Sequence, residues 1–156
     1  MKPDDWMRRA IEQARAAIET GQTPFGAVVV RGGELIAAGH NEVWKTCDPT
    51  AHAEVVAIRR AAAALGSIDL RGCEMYTTCE PCPMCAAAIH WAKLDAVHYG
   101  ATIADAKRAG FSELAVAPEK LYELGDSPVR VISGVLTEQC AQLFESWKAS
   151  GKSSKY

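Results

Sequence analysis

The sequence has no apolar run approaching the roughly 20 residues that a membrane-spanning helix needs. Its first residues, MKPDDWMRRAIEQA, are too charged to form the apolar centre of a signal peptide. Basic residues are not in excess, because 19 acidic side chains exceed 17 basic ones and the net charge is −2. We therefore expect a cytoplasmic protein with no membrane and no nucleic-acid partner, and this balance favours a small, nearly neutral ligand.

The sequence also lacks internal repeats, and it has no low-complexity segment beyond an alanine-rich stretch at 61–64. Its 156 residues, of which 49% are hydrophobic, suffice for a single domain with a sizeable core. In a cytosolic chain, closely spaced cysteines more often bind metal or carry redox chemistry than form disulfides. The six cysteines are Cys47, Cys73, Cys79, Cys82, Cys85 and Cys140.

Hydrophobic periodicity and turn signals predict strands that alternate with helices along the chain. We expect helices at about 4–19, 52–65, 84–92 and 137–148, and strands at 25–30, 35–39, 72–77, 96–100 and 129–132. The first two strands are expected to form an antiparallel hairpin, whereas the later strands are separated by helices and are expected to run parallel. This order of elements predicts an α/β sandwich around a mixed sheet.

Two short clusters carry the chemistry of this sequence. The first contains His52 and Glu54 in the order His-Ala-Glu, and the second contains Cys82 and Cys85 in the order Pro-Cys-Pro-Met-Cys. Together they fit the pattern H-x-E … P-C-x-x-C, which is the recorded signature of zinc-dependent nucleobase deaminases. Either half alone is a weak or moderate signal, but the two together strongly indicate a zinc site.

The spacing of these residues suits a catalytic zinc ion. Such an ion takes three protein ligands and keeps a fourth position for water, and one imidazole with two thiolates completes that set. Cys82 and Cys85 are three residues apart at a predicted helix start, where the helix dipole favours thiolates. Glu54, two residues after His52, is predicted to take a proton from water and deliver it to the ring nitrogen and the departing amine.

Other interpretations of the cysteines stay open. Cys79, Cys82 and Cys85 could supply three thiolates to a metal cluster, although the fourth ligand would come from elsewhere and Glu54 would then have no purpose. A non-catalytic zinc module normally closes the fourth position with protein, and no further Cys or His lies at obvious ligand spacing. A dithiol redox protein is a third interpretation. We expect Cys79 to pack at a strand end, and Cys47, Cys73 and Cys140 to be small buried or half-buried residues.

At these motifs the sequence resembles the cytidine deaminase-like superfamily, and within it the small bacterial guanine deaminases. The likeness runs along nearly the whole chain and includes the lysine-bearing tail that ends in Tyr156, nine residues after Trp147. The matching segments are 24–28, Asn41, 48–54, 79–85, Ile89 with 91–92, 109–111 and 136–138. The resemblance implies a three-layer α/β/α sandwich with a mixed five-stranded sheet, and a zinc-dependent aminohydrolase that converts guanine to xanthine.

The resemblance also implies the substrate contacts and the assembly. Asn41 would contact the purine, Phe25 and Trp91 would sandwich its ring, and Glu113 would read the guanine edge. Residues 1–156 would form one domain in a homodimer, with the tail 149–156 exchanged between subunits so that Tyr156 closes over the partner's site. Glu113 departs from the aspartate that a member of that family has there, and the longer side chain leaves open a different base or a nucleoside.

Each of these substrate contacts has a structural alternative. Phe25 and Trp91 also fit packing roles, Asn41 fits a turn at a strand end, Glu113 fits a solvated charge, and Tyr156 fits a frayed terminus. A carboxylate that faces two N–H donors would nevertheless select guanine over adenine, because adenine presents an acceptor at that ring nitrogen.

Related deaminases with other substrates are the nearest competing functions. A tRNA adenosine deaminase shares both zinc clusters, but it would need a basic face and a C-terminal helix rich in lysine and arginine. Here only Lys148, Lys152 and Lys155 mark the tail. A guanosine or cytosine deaminase is poorly separated from a guanine deaminase by the sequence.

Overall fold

The computed structural model describes residues 1–152 and 155–156; residues 153–154 of the predicted tail lie outside the described residues. The helices are α1 (Pro3–Glu19), α2 (Val43–Thr46), α3 (Ala53–Leu65), α4 (Pro83–Trp91), α5 (Ile103–Arg108), α6 (Pro118–Leu124) and α7 (Thr137–Ser150). The strands are β1 (Gly26–Arg31), β2 (Glu34–His40), β3 (Cys73–Cys79), β4 (Ala96–Ala101) and β5 (Arg130–Ile132). Among these residues, no helix is both long and apolar enough to cross a membrane.

The five strands form one mixed sheet in the order β2-β1-β3-β4-β5. The β1–β2 hairpin is antiparallel, and β1 also pairs antiparallel with β3. The pairs β3–β4 and β4–β5 are parallel, as expected for strands joined through helices. The predictions of a mixed sheet, an initial hairpin and parallel later strands are confirmed.

The sheet separates two hydrophobic cores, which makes the fold a three-layer α/β/α sandwich. One core packs the apolar face of α1 and α7 against side chains such as Val28 and Tyr76. The other packs α3, α4 and α6 against the opposite face, where Val29 and Met75 lie. Neighbouring residues of β1 and β3 thus point to opposite cores, which explains why both strands are buried on both faces.

The strand register brings four segment ends to one end of the sheet. Gly26 pairs with His40, and Ala27 pairs with Thr77, so the start of β1 lies beside the ends of β2 and β3. Cys79 pairs with Ala101, which puts the end of β4 at the same edge. Because α3 and α4 also begin there, this edge collects the side chains of both sequence motifs. The carboxyl ends of parallel strands are the usual place for a ligand site.

The structure contains three short helices that the periodicity did not predict, α2, α5 and α6. They span four to seven residues, which is too short for a helical repeat to be visible in a sequence. Cys47 corrects another expectation, because it is exposed in a left-handed conformation at the end of α2 rather than buried. Cys73, Cys79 and Cys140 are buried as expected.

Candidate active site

His52, Cys82 and Cys85 form a group of three metal-donor side chains. The Nδ1 atom of His52 lies 3.7 Å from Cys82 Sγ and 3.5 Å from Cys85 Sγ, and all three donor atoms lie within 4.8 Å of one another. Tetrahedral bonds of about 2.0 Å to nitrogen and about 2.3 Å to sulfur put such donors about 3.5 Å apart. The spacing of these donor atoms therefore fits one zinc ion.

Two helix starts position the donors. His52 is the N-cap of α3, Cys82 is the N-cap of α4, and Cys85 lies in the first turn of α4. Pro83 begins α4, where its fixed φ suits the first helical residue and its missing N–H costs no hydrogen bond. Each helix directs the positive end of its dipole toward the donor group, which favours anionic ligands.

The charge state of the sulfurs also suits a metal. Hydrogen bonding from Cys85, together with the neighbouring His52, lowers the pKa of Cys82 to about 4, so that this side chain is a thiolate. The same contact with Cys82, together with burial, raises the pKa of Cys85 well above the value for a free thiol. A divalent cation between these atoms would stabilise both thiolates at once, and the donor set is therefore chemically matched to zinc.

Glu54 lies beside the donor group and is 6% exposed. Its Oε1 accepts a hydrogen bond of 3.1 Å from the Thr77 hydroxyl, and its Oε2 accepts one of 3.5 Å from Cys85 Sγ. Burial raises the pKa of the Glu54 carboxyl, which the negative charge of Cys82 raises further. The side chain is therefore held in a fixed orientation and is poised to exchange a proton.

Aromatic rings wall the site. Phe25 meets Phe111 edge-on with ring centroids 5.1 Å apart. The Tyr156 ring lies 5.7 Å from the His52 ring and 6.1 Å from the Phe111 ring, measured between centroids. Phe25 and Tyr156 both line the cavity, in which about 20 Å³ of space remains, room for about one water molecule.

Three further polar side chains line the same cavity. Glu113 faces it from the loop after α5, and its burial, with the nearby Cys82 charge, raises the pKa of its carboxyl to about 7. The sequence motifs predicted no role for Glu80 and only a packing role for Cys79, yet both line the cavity. Their place at the carboxyl end of β3 is the signal that could have identified them.

The last residue of the chain lies inside this site. The Tyr156 hydroxyl accepts a short hydrogen bond from the Asn41 side-chain amide and lies 3.3 Å from the Thr23 hydroxyl. Asn41 is fully buried, and its Oδ1 accepts a hydrogen bond from the Val43 amide. The Lys155 side chain crosses Gly110, where a Cβ would lie only 2.7 Å from its Nζ.

Trp91 does not line the cavity with Phe25, and its predicted place against the purine ring stays a prediction. It is the last residue of α4 and 78% exposed. Nine residues of helix span about 13 Å, so the helix that begins at the metal donors carries Trp91 away from them. Phe25, Asn41, Glu113 and Tyr156 do lie together with the donor group.

Comparison with known proteins agrees with this geometry. Residues 1–101 match the sequence profile of the "Cytidine and deoxycytidylate deaminase zinc-binding region". The chain belongs to this family of zinc-dependent hydrolytic deaminases. The predictions of the superfamily, the fold, the enzyme class and the zinc cofactor are thereby confirmed.

Relatives of two kinds are similar to the chain over most of its length. The chain is 40% identical over 157 residues to the guanine deaminase of Bacillus subtilis, with 100% of both chains covered. It is 40% identical over 110 residues to the tRNA-specific adenosine deaminase of Aquifex aeolicus. The match covers 70% of the present chain and 72% of the Aquifex protein. The solved guanine deaminase of Nitrosomonas europaea superposes with a TM-score of 0.88 at 31% identity, covering 95% of this chain and 85% of that one.

Proposed function

We propose that this deaminase hydrolyses guanine to xanthine and ammonia, a reaction of purine metabolism. The observation that carries the proposal is the Glu113 carboxylate, which shares one small aromatic-walled cavity with Glu54 and the metal donors. A neutral purine binds well between apolar faces with a few placed polar groups. The full-length similarity to a guanine deaminase supports the same substrate.

His52, Cys82 and Cys85 are the proposed zinc ligands, and Glu54 is the proposed proton carrier. When bound, zinc supplies a Lewis acid that makes water a strong nucleophile near neutral pH. Glu54 Oε2 would take one proton from that water and pass it to a ring nitrogen of the substrate, while the water oxygen bonds to the carbon that carries the amino group. Glu54 would then carry the second proton, from the new hydroxyl, to the amino group, which leaves as ammonia. The Thr77 hydrogen bond keeps the carboxyl in place during these transfers.

Glu113 is the proposed specificity group. Its ionised carboxylate would accept hydrogen bonds from the ring N–H and the amino group of guanine. Adenine has a lone pair at the corresponding ring nitrogen, so the carboxylate would face another acceptor and lose that bond. Selection by unpaired polar groups of this kind is much stronger than selection by shape alone.

Phe25, Asn41 and Tyr156 complete the proposed substrate site. Phe25 would pack on the purine ring. The Asn41 amide donates one N–H to Tyr156, and its second N–H would donate to the purine. The remaining 20 Å³ does not hold a purine. We therefore infer that Tyr156 moves aside for the substrate and closes over it afterwards.

The test is ammonia release from guanine, guanosine, adenine, cytosine, cytidine and a tRNA anticodon stem-loop, with zinc quantified in the same sample. Activity confined to guanine is expected. Activity on the stem-loop alone would overturn guanine as the substrate. It would favour tRNA adenosine, the substrate named for the Aquifex relative. Activity on guanosine, cytosine or cytidine would keep the mechanism and overturn the substrate.

We further propose that the chain is a homodimer that exchanges its tails. The surface between α3 and α4 supports a second copy as partner, because it exposes Ile68 (89%) and Trp91 (78%) beside Val55, Ile58 and Ala62. In the single chain, Tyr156 contacts Asn41 of the same chain. Exchange of the tails would form the same contacts between two chains.

Co-expression of two defective chains tests the exchange. One chain carries Glu54→Gln with an intact tail, and the other has an intact site but lacks residues 152–156. Exchanged tails would let the first chain close the second chain's site, so that activity returns in the mixed dimer. If the mixture is no more active than the tail-less chain alone, the tail acts on its own subunit.

The cytoplasm is the proposed location. All six cysteines lie within the described residues, and none of them forms a disulfide. Cys47 is exposed, and free exposed thiols persist in a reducing compartment. Fractionation of the source cells with an antibody to the chain tests this location, and recovery with extracellular proteins would overturn it.

A further inference from the structure

Glu80 is a half-buried carboxylate of the site to which the proposed reaction assigns no role. It follows β3 directly and lies two residues before the metal donor Cys82. Its side chain lines the cavity, yet its Oε2 accepts a hydrogen bond of 2.8 Å from the backbone amide of Ile103. This bond joins the metal-binding loop to the first residue of α5.

Two other bonds join the same segments. The Glu80 amide donates to the carbonyl of Ala101 at 2.8 Å, and Cys79 Sγ donates to the carbonyl of Thr102 at 3.6 Å. Of the three, only the bond to Ile103 uses a charged acceptor, and such bonds are worth roughly twice a neutral one. The side chain of Glu80 is therefore the strongest of these three links.

The segment that Glu80 holds leads to two residues of the site. Helix α5 spans only six residues, too few to be stable without tertiary contacts. It continues through Ala109 and Gly110 to Phe111, which packs on Phe25, and then to Glu113. The position of the Glu113 carboxylate thus depends on where the start of α5 is fastened.

We propose that Glu80 is a positioning residue: its carboxylate fastens residues 103–113 to the metal-binding loop and so holds Glu113 at the substrate edge. The effect of Glu80 on guanine rests on the proposed function. The attachment of residues 103–113 to the metal-binding loop does not. The bond needs an acceptor oxygen at this position; a neutral acceptor can still form it, although more weakly than a carboxylate does. A direct contact of Glu80 with substrate would instead need the charge.

The pair Glu80→Gln and Glu80→Ala separates these roles. Glutamine keeps an acceptor oxygen for the Ile103 amide, whereas alanine removes it. We expect Glu80→Ala to raise KM for guanine roughly ten-fold, with kcat changed less than about two-fold. Zinc content should stay unchanged, and Glu80→Gln, which keeps a weaker neutral bond, should raise KM by less than about three-fold. Equal impairment of both variants would overturn positioning in favour of direct substrate contact, and an unimpaired Glu80→Ala would overturn any role.

Coupling to Glu113 gives a second readout. If Glu80 acts through Glu113, then KM of the double variant Glu80→Ala/Glu113→Gln should exceed KM of Glu113→Gln alone by less than about two-fold. Independent, multiplying effects would contradict the proposal. Glu123→Ala is the matched control, because it removes an exposed glutamate of α6 that is paired only with Lys120 among the described residues and should change neither constant.

Hydrogen–deuterium exchange tests the fastening without substrate. The amides of residues 103–113 should exchange faster in Glu80→Ala than in wild type and Glu80→Gln. Exchange of the strand amides should be unchanged. Faster exchange in an enzyme that does not deaminate guanine would overturn the proposed function and leave the fastening standing. Unchanged exchange would overturn the fastening whatever the substrate is.

Discussion

The side-chain amide of Asn41 donates a hydrogen bond to the hydroxyl of Tyr156, although 115 positions separate the two residues in the chain. Asn41 follows β2 directly, and Tyr156 is the last residue of the sequence. The bond ties the C-terminal tail to the rim of the metal-donor group. It connects the two parts of the site that would separate if the proposed purine substrate enters.

Tyr156→Phe should impair catalysis while the fold stays intact. The variant keeps the ring that faces His52 and Phe111 but loses the hydroxyl that joins Asn41 and Thr23. Two lost hydrogen bonds of about 1 kcal/mol each predict a fall in kcat/KM of at least ten-fold. Tyr76→Phe removes a hydroxyl from a buried ring of the core and should leave the kinetics unchanged. Wild-type kinetics in Tyr156→Phe would exclude a role for the hydroxyl.

Glu54→Gln should retain zinc and lose turnover. Glutamine is close in shape and can still accept from the Thr77 hydroxyl, but it cannot carry a proton. We expect kcat to fall by about 10²–10⁴-fold, the usual worth of a general acid–base group. Zinc by plasma mass spectrometry and ammonia release are measured on one preparation. Glu145→Gln on the exposed face of α7 is the control, and substantial activity in Glu54→Gln would exclude the proton-transfer role.

Cys85→Ala should lose the metal and much of its thermal stability. The change leaves two donors, which do not complete the three-ligand set, and metal binding contributes directly to folding. A chelator should therefore lower the Tm of wild type but not that of the variant. Cys47→Ala removes an exposed thiol outside the site and should keep both zinc and Tm. A full zinc complement in Cys85→Ala would exclude Cys85 as a ligand.

Gly26→Ala should destabilise the sheet beside the site. A Cβ at Gly26 would contact the carbonyl of Ala10 and lie 2.5 Å from the amide nitrogen of Ala14, both in α1. Backbone atoms of a packed helix cannot rotate away, so overpacking of about 3 kcal/mol is expected. Gly125→Ala, whose Cβ would approach only the Leu121 carbonyl at 3.1 Å, should cost much less in urea unfolding. Equal stability of the two variants would contradict this packing argument.

The sequence alone was sufficient to predict the metal-donor group and the elements that carry it. Pro83 and the Cys-x-x-Cys spacing specify a helix start with two sulfurs on one side, and these are local properties of a few residues. The long amphipathic helices and the β-branched strand at 26–31 are equally local, because each shows its own period in the sequence.

Other features depend on contacts that no local pattern records. The short helix α5 forms because Thr102 caps it and Glu80 binds its first amide, and only the second of these partners lies far away in sequence. Trp91 fits an aromatic lid in the sequence, yet the length of α4 carries it to the surface. Neither outcome follows from periodicity, since each is set by the packing of one element on another.

The sequence by itself determined the zinc chemistry of this protein, because each of the two motifs consists of a few neighbouring residues at the start of one helix. The tertiary structure decided what else shares the site: it assembled Phe25, Asn41, Glu80 and Tyr156 from four separate segments at one end of the sheet. The physical reason is strand register, which sets which chain ends meet, and register is fixed by burial on both faces of the sheet rather than by any single segment.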